Sequence, residues 1–112
     1  MTTRDALARA LAGRLAELFE DDAGHIDLDA DVFAPHGALL GQRRLDSLDL
    51  VAIGVTIEEE LGIRLHQHDL ALASTLRLLA GLLLHRANDV AVRNFVTRWL
   101  PDPAPEEAPP WP

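Results

Sequence analysis

Two short stretches of this 112-residue chain hold residues whose types and spacing could do chemistry. The first is Asp46-Ser47-Leu48-Asp49. Its aspartates stand three apart, so Asp46 can cap a helix and Asp49 can reach back to complete a capping box. Ser47 then takes the first helical position, at the positive end of the helix macrodipole. A helix N-terminus favours phosphate, and a serine there is well sited to carry a phosphodiester-linked group. Ser47 as the nucleophile of a hydrolase would need a base, an orienting acid and oxyanion donors. His66 or His68 could be named as base, but there is no Gly-x-Ser-x-Gly elbow.

The second stretch, His66-Gln67-His68, has a spacing that can bind metal. No cysteine exists and no third ligand stands nearby in sequence, so no metal site is expected. Asp27, Asp29 and Asp31 alternate as in a calcium loop, but the glycine and distal glutamate of that motif are absent. A solvated loop with Ile26, Leu28 and Phe33 turned inward is expected instead.

These residues need elements to position them, and the pattern is helical. Apolar residues make up 48% but aromatics only 4%, so leucine, isoleucine, valine and alanine must fill a small core. Leu7, Leu11, Leu15 and Leu18 predict a first helix over 3–20, capped by Thr2 or Thr3, with Arg4, Arg9, Arg14 and Glu17 on a wet face. A long connection over 21–46 follows. The second helix spans 47–61, with Leu50, Ile53, Ile57 and Leu61 facing the core and Gly62 ending it. Asp69–Ala73 forms a short third helix. A fourth spans 74–86, with Ser74 or Thr75 as its cap. Val92, Phe95, Val96 and Trp99 stripe a fifth over 89–100, expected to fold back onto the excess apolar surface of Leu78 and Leu82 and to touch the first or third helix. A dimer interface made from the same stripe is the alternative. The proline-rich tail from Pro101, with Asp102, Glu106 and Glu107, reads as disordered, with Trp111 exposed.

On the second helix, Leu48, Val51 and Val55 lie off the core face. Such a strip often marks a partner surface. Glu58-Glu59-Glu60 sits at the helix C-terminus, where negative charge opposes the macrodipole. That placement suits docking better than stability. The net charge of −8 disfavours nucleic acid and anionic membranes and favours basic protein partners. No stretch is long enough to span a bilayer, and the N-terminus lacks a signal-peptide layout, so a cytoplasmic protein is expected.

Asp46-Ser47-Leu48 followed by an apolar helix ending in Glu58-Glu59-Glu60 resembles the acyl carrier protein family. The match runs without a gap from Asp46 to about Leu84. It includes Leu61-Gly62-Ile63 and Ala73-Ser74-Thr75-Leu76. The resemblance implies an all-α, four-helix carrier bundle with a long first loop, with the fifth helix as an addition. The expected layout is a carrier domain over 1–100 (core 3–86, added helix 89–100) and a tail over 101–112. It implies that Ser47, flanked by Asp46 and Leu48, receives a covalent 4′-phosphopantetheine arm from a coenzyme A–dependent phosphopantetheinyl transferase. The arm's thiol would carry acyl or related groups as thioesters. The chain itself would be no enzyme. Asp49, Val51, Val55, Glu58 and Glu59 would meet acyl-transferring or condensing enzymes through basic docking patches, with the carrier as a monomer. Fatty acid, polyketide and specialised lipid pathways all use such modules.

The chain departs from the family in three places. Residues 35–44 lengthen the first loop, and Arg43 and Arg44 stand close before the motif, Arg44 with Leu45 where a glycine is usual. Ala52 replaces a frequent glutamate. An unmodified helical adaptor that kept the carrier fold is the alternative reading.

Overall fold

A computed structural model describes residues 3–34 and 37–100. The tail, Trp111, Pro35, His36 and the Thr2 cap lie outside the described residues. Five α-helices follow in order: α1 (Thr3–Leu18), α2 (Ser47–Leu61), α3 (Gln67–Leu72), α4 (Leu76–Arg86) and α5 (Asp89–Trp99). A 3-10 turn, Ala23–His25, opens the first loop. The all-α carrier-like bundle with a fifth helix is what the sequence predicts.

The helix α1 is the central element. Leu7, Leu11 and Leu15 are fully buried, and so are Ala8 and Ala10, with Ala12 and Ala16 nearly so. The alanines give low ridges on which neighbours can sit close, and both α4 and α5 pack against α1. From α4, Leu76, Leu79, Ala80 and Leu83 meet this core. Glu20, at φ 56°, turns the chain out of α1.

The first loop is tied down from both sides. Ile26, Val32, Phe33 and Leu40 plug into the core, and Leu28 is half-buried. The Phe33 N–H donates to Ser74 O at 3.1 Å, and the Arg77 N–H donates to Leu28 O at 3.1 Å. The Arg77 side chain pairs with Asp29 of the loop and Asp5 of α1. Near the loop end, Asp21 accepts the Gln42 N–H at 3.0 Å. Gly41 beside it has φ +60°, and a Cβ there would lie 2.2 Å from Asp21 Oδ2, so any other residue would be strained and would displace the Asp21 carboxylate.

Two expectations about the outer helices are corrected. The fifth helix touches α1 as expected, but its second support is α2 and not α4. Ala87 and Asn88 are both extended, which swings the chain away from α4 instead of reversing it tightly. Leu78 accordingly stays 52% exposed, while Val92 and Phe95 are buried within the same chain. Val96 and Trp99, the other two residues of the stripe, are half-buried. The wet face of α1 also loses a member. Arg14 lies 4.7 Å over the Trp99 ring and pairs with Glu60 of α2 at 3.5 Å. An arginine stem covers apolar surface readily while its head finds a carboxylate.

Candidate functional site

The site is built at the start of α2. Asp46 is extended, with φ −109° and ψ −178°, and its carboxylate accepts the Asp49 N–H at 2.8 Å. Asp49 Oδ2 accepts the Asp46 N–H at 3.1 Å, so the capping box is closed in both directions. Ser47 and Leu48 lie between the two aspartates. Ser47 is exposed, and Leu48 is 77% exposed. The helix runs from there to Gly62, whose φ of 67° and ψ of 37° make the left-handed stop.

Asp49 does not lie on the outward surface where partner contact was expected. It is only 7% exposed. Arg43 reaches it with a forked pair of bonds, Nε to Oδ2 at 3.2 Å and Nη2 to Oδ1 at 2.8 Å. The Arg43 guanidinium beside Asp49 holds its carboxyl below the usual carboxylate range, helped by the Asp46 hydrogen bonds and against the pull of burial.

The acidic end of α2 is also divided by its contacts. Glu58 Oε2 accepts the Leu65 N–H at 2.7 Å. Glu60 accepts Trp99 Nε1–H at 2.8 Å and pairs with Arg14, which fastens α5 to α2. Glu59 remains exposed. The three glutamates thus serve a loop cap, an open surface and an interhelix clasp. Val51 and Val55, at 46% and 45% exposure, continue the apolar strip below Leu48.

Beside that strip, α2 and α3 enclose a cleft of about 110 Å³, lined by Val51, Gly54, Val55, Leu65, His66 and Leu70 among others. Val51 is one turn below Ser47, about 6 Å along the helix axis. Gly54 is buried, yet a Cβ added to it would meet nothing within 4 Å. Glycine in a helix interior costs up to about 1 kcal/mol relative to alanine, and here it leaves space at the cleft floor. An exposed hydroxyl at a helix start, with an apolar cleft one turn away, fits a phosphate-linked arm with an apolar cargo.

The wall of this cleft is held by Asp69. Helix α3 starts two residues earlier than predicted, with His66 as its cap and Asp69 accepting the His66 N–H at 2.9 Å. Arg86 of α4 forks onto Asp69 at 2.8 and 3.1 Å. Arg86 foremost, then the His66 N–H, lowers the Asp69 pKa to about 2. The His66 and His68 rings stack with centroids 5.7 Å apart. Among the described residues, no group of three or more histidine or acidic side chains could hold a metal.

Sequence reasoning singled out Ser47 and its capping box but missed the tie from Arg43 to Asp49. Five residues of irregular loop and helix start separate the two, and no period links them. The comparisons with known proteins give one match: the family described as a phosphopantetheine attachment site matches residues 9–83. No curated protein and no solved structure matches the chain.

Proposed function

Because the chain belongs to the phosphopantetheine attachment site family, we propose that Ser47 bears the 4′-phosphopantetheine arm and that the protein hands thioester-bound acyl intermediates between partner enzymes. The observation that carries this reading is the exposed serine at the first position of a boxed helix. The backbone N–H groups of that first turn favour the phosphodiester. When bound, the arm supplies the thiol that the cysteine-free polypeptide lacks. A phosphopantetheinyl transferase would install it from coenzyme A. Ser47 Oγ would bond to phosphorus, the pyrophosphate bond would break, and adenosine 3′,5′-bisphosphate would leave as the hydroxyl loses its proton.

The residues around the serine would sort the partners. Leu48, Val51 and Val55 offer an apolar strip, with Glu59 at its lower end and Asp46 at its upper end. A partner with an apolar patch flanked by basic side chains is complementary to that strip. Asp49 and Glu58 would serve it from beneath, by fixing the helix and the loop after it. The cleft beside the strip is narrow, which favours a short acyl group or one left largely outside the bundle. Carriage in fatty acid, polyketide or specialised lipid synthesis is consistent with this. Helix α5 packs against α1 and clasps α2 through Glu60, leaving the strip at Leu48, Val51 and Val55 exposed. No helix among the described residues is long and apolar enough to cross a membrane, and action in the cytoplasm is part of the proposal.

Incubation with coenzyme A and a broad-specificity transferase, followed by intact mass measurement, tests the reading. The wild type should gain one phosphopantetheine and Ser47→Ala none, with equal helical content. An unmodified wild type across several transferases would favour the adaptor instead. Modification of Ser47→Ala would move the site elsewhere.

A further inference from the structure

We propose that Arg43 is a positioning residue for the loading of Ser47, acting through Asp49 to fix the turn that presents the serine hydroxyl. The inference rests on Ser47 being the attachment residue. Its starting point is how firmly Arg43 is itself held. Leu40 and Arg43 exchange backbone hydrogen bonds at 2.8 and 2.9 Å. Leu40 is buried, Gly41 supplies the tight turn between them, and the Gln42 N–H is held by Asp21 just after α1. The arginine therefore projects from a backbone turn anchored in the core and at the end of α1.

Its side chain has little freedom left. The guanidinium lies 4.6 Å over the Phe19 ring, where a cation is attracted to the ring face. Its two N–H groups meet both oxygens of Asp49. Forked pairing of this kind fixes the carboxylate plane as well as its position. A capping box does not of itself need such a partner. Here Asp49 is nearly buried, and a buried carboxylate without a cation is costly.

The consequence falls on Ser47. The Asp46–Asp49 box closes the backbone on either side of it, and one Asp49 oxygen serves Arg43 and the Asp46 N–H together. If Asp49 swung away, the Asp46 N–H would lose its acceptor and the first turn of α2 would be free to fray. The path from Phe19 through Arg43 and Asp49 to Asp46 thus couples the end of α1 to the serine. Productive transfer needs the attacking oxygen held in a narrow range of positions. Lysine in place of Arg43 would keep the charge but lose the fork and the planar stacking.

The experiment uses the full chain with Arg43→Met, Arg43→Lys, Asp49→Asn and the Arg43→Met/Asp49→Asn double variant. Loading from coenzyme A by one transferase is followed by mass, and amide hydrogen exchange is followed in the unmodified proteins. Arg43→Met should lower kcat for loading about tenfold with KM within about twofold of wild type, a lost positioning contact rather than lost binding. Arg43→Lys should recover little of it. The double variant should be no slower than Arg43→Met, because both changes break one path. Exchange at Asp46, Asp49 and Leu50, whose N–H groups the box and first turn hold, should speed up while that of α4 stays unchanged. Wild-type kcat in Arg43→Met, full rescue by lysine, or a defect confined to KM would overturn the inference and leave the carrier reading standing. A wild type that takes no phosphopantetheine would overturn both. If Arg43→Met fails to fold, Arg43→Lys supplies the same kcat and exchange comparison.

Discussion

The Asp69–Arg86 pair should give the protein a measurable and removable acid sensitivity. Asp69 has 6% side-chain exposure and closes the α3 start against α4. Its folded pKa of about 2 lies below the ordinary 3.8. A depressed carboxylate stabilises the fold above its unfolded pKa and loses that contribution as pH falls through the folded value. The shift corresponds to about 2 kcal/mol at pH 7, roughly 1 kcal/mol at pH 3 and less than about 0.5 kcal/mol at pH 2. Arg86 is the leading cause, with the His66 N–H second, so Arg86→Met should remove about 1–2 kcal/mol at pH 7. For a domain of this size that lowers the melting temperature by roughly 5–10 °C. Methionine keeps most of the side-chain stem, which limits lost packing. Urea unfolding followed by circular dichroism, from pH 7 down to pH 2, should show the two stabilities converging between about pH 4 and pH 2. A gap that stays constant over that range would refute the electrostatic account and assign the loss to packing.

Two further outcomes follow from contacts at the C-terminal end of the helix α2. Trp99→Ala removes a half-buried ring, the bond to Glu60 and the surface on which Arg14 lies. It should cost about 2–3 kcal/mol in urea unfolding, and a cost below about 0.5 kcal/mol would mean that α5 is anchored elsewhere. Glu58→Lys and Glu59→Lys, adjacent in sequence, should behave differently. The first strips the Leu65 N–H of its acceptor and should destabilise by about 1–2 kcal/mol. The second should slow acyl transfer to a partner enzyme while leaving the melting point nearly unchanged, and equal effects of the two on stability would contradict the geometry.

What the sequence by itself determined was local. The bounds of α2, its Asp46–Asp49 box and its Gly62 stop all depend on residues within a few positions of one another. Their hydrogen bonds can be counted from spacing alone. The leucine stripe of α1 and the existence of α5 were legible because periodicity states which face must be hidden, and the inward turn of Ile26 and Phe33 because they are apolar residues in an otherwise polar loop and match positions of the resembled family. Periodicity does not state what hides it. Only the tertiary structure decided that α5 lies on α2 beside α1 and not on α4, that Arg14 leaves the wet face for Glu60 and Trp99, and that Asp69 is matched to Arg86. It also divided Glu58, Glu59 and Glu60 among three tasks, although their sequence is uniform. Each of these depends on a pairing between residues far apart in the chain or joined by an irregular loop. Such pairings are selected by the packing of the whole bundle, in which a charged side chain takes whichever partner the helix crossings bring within reach.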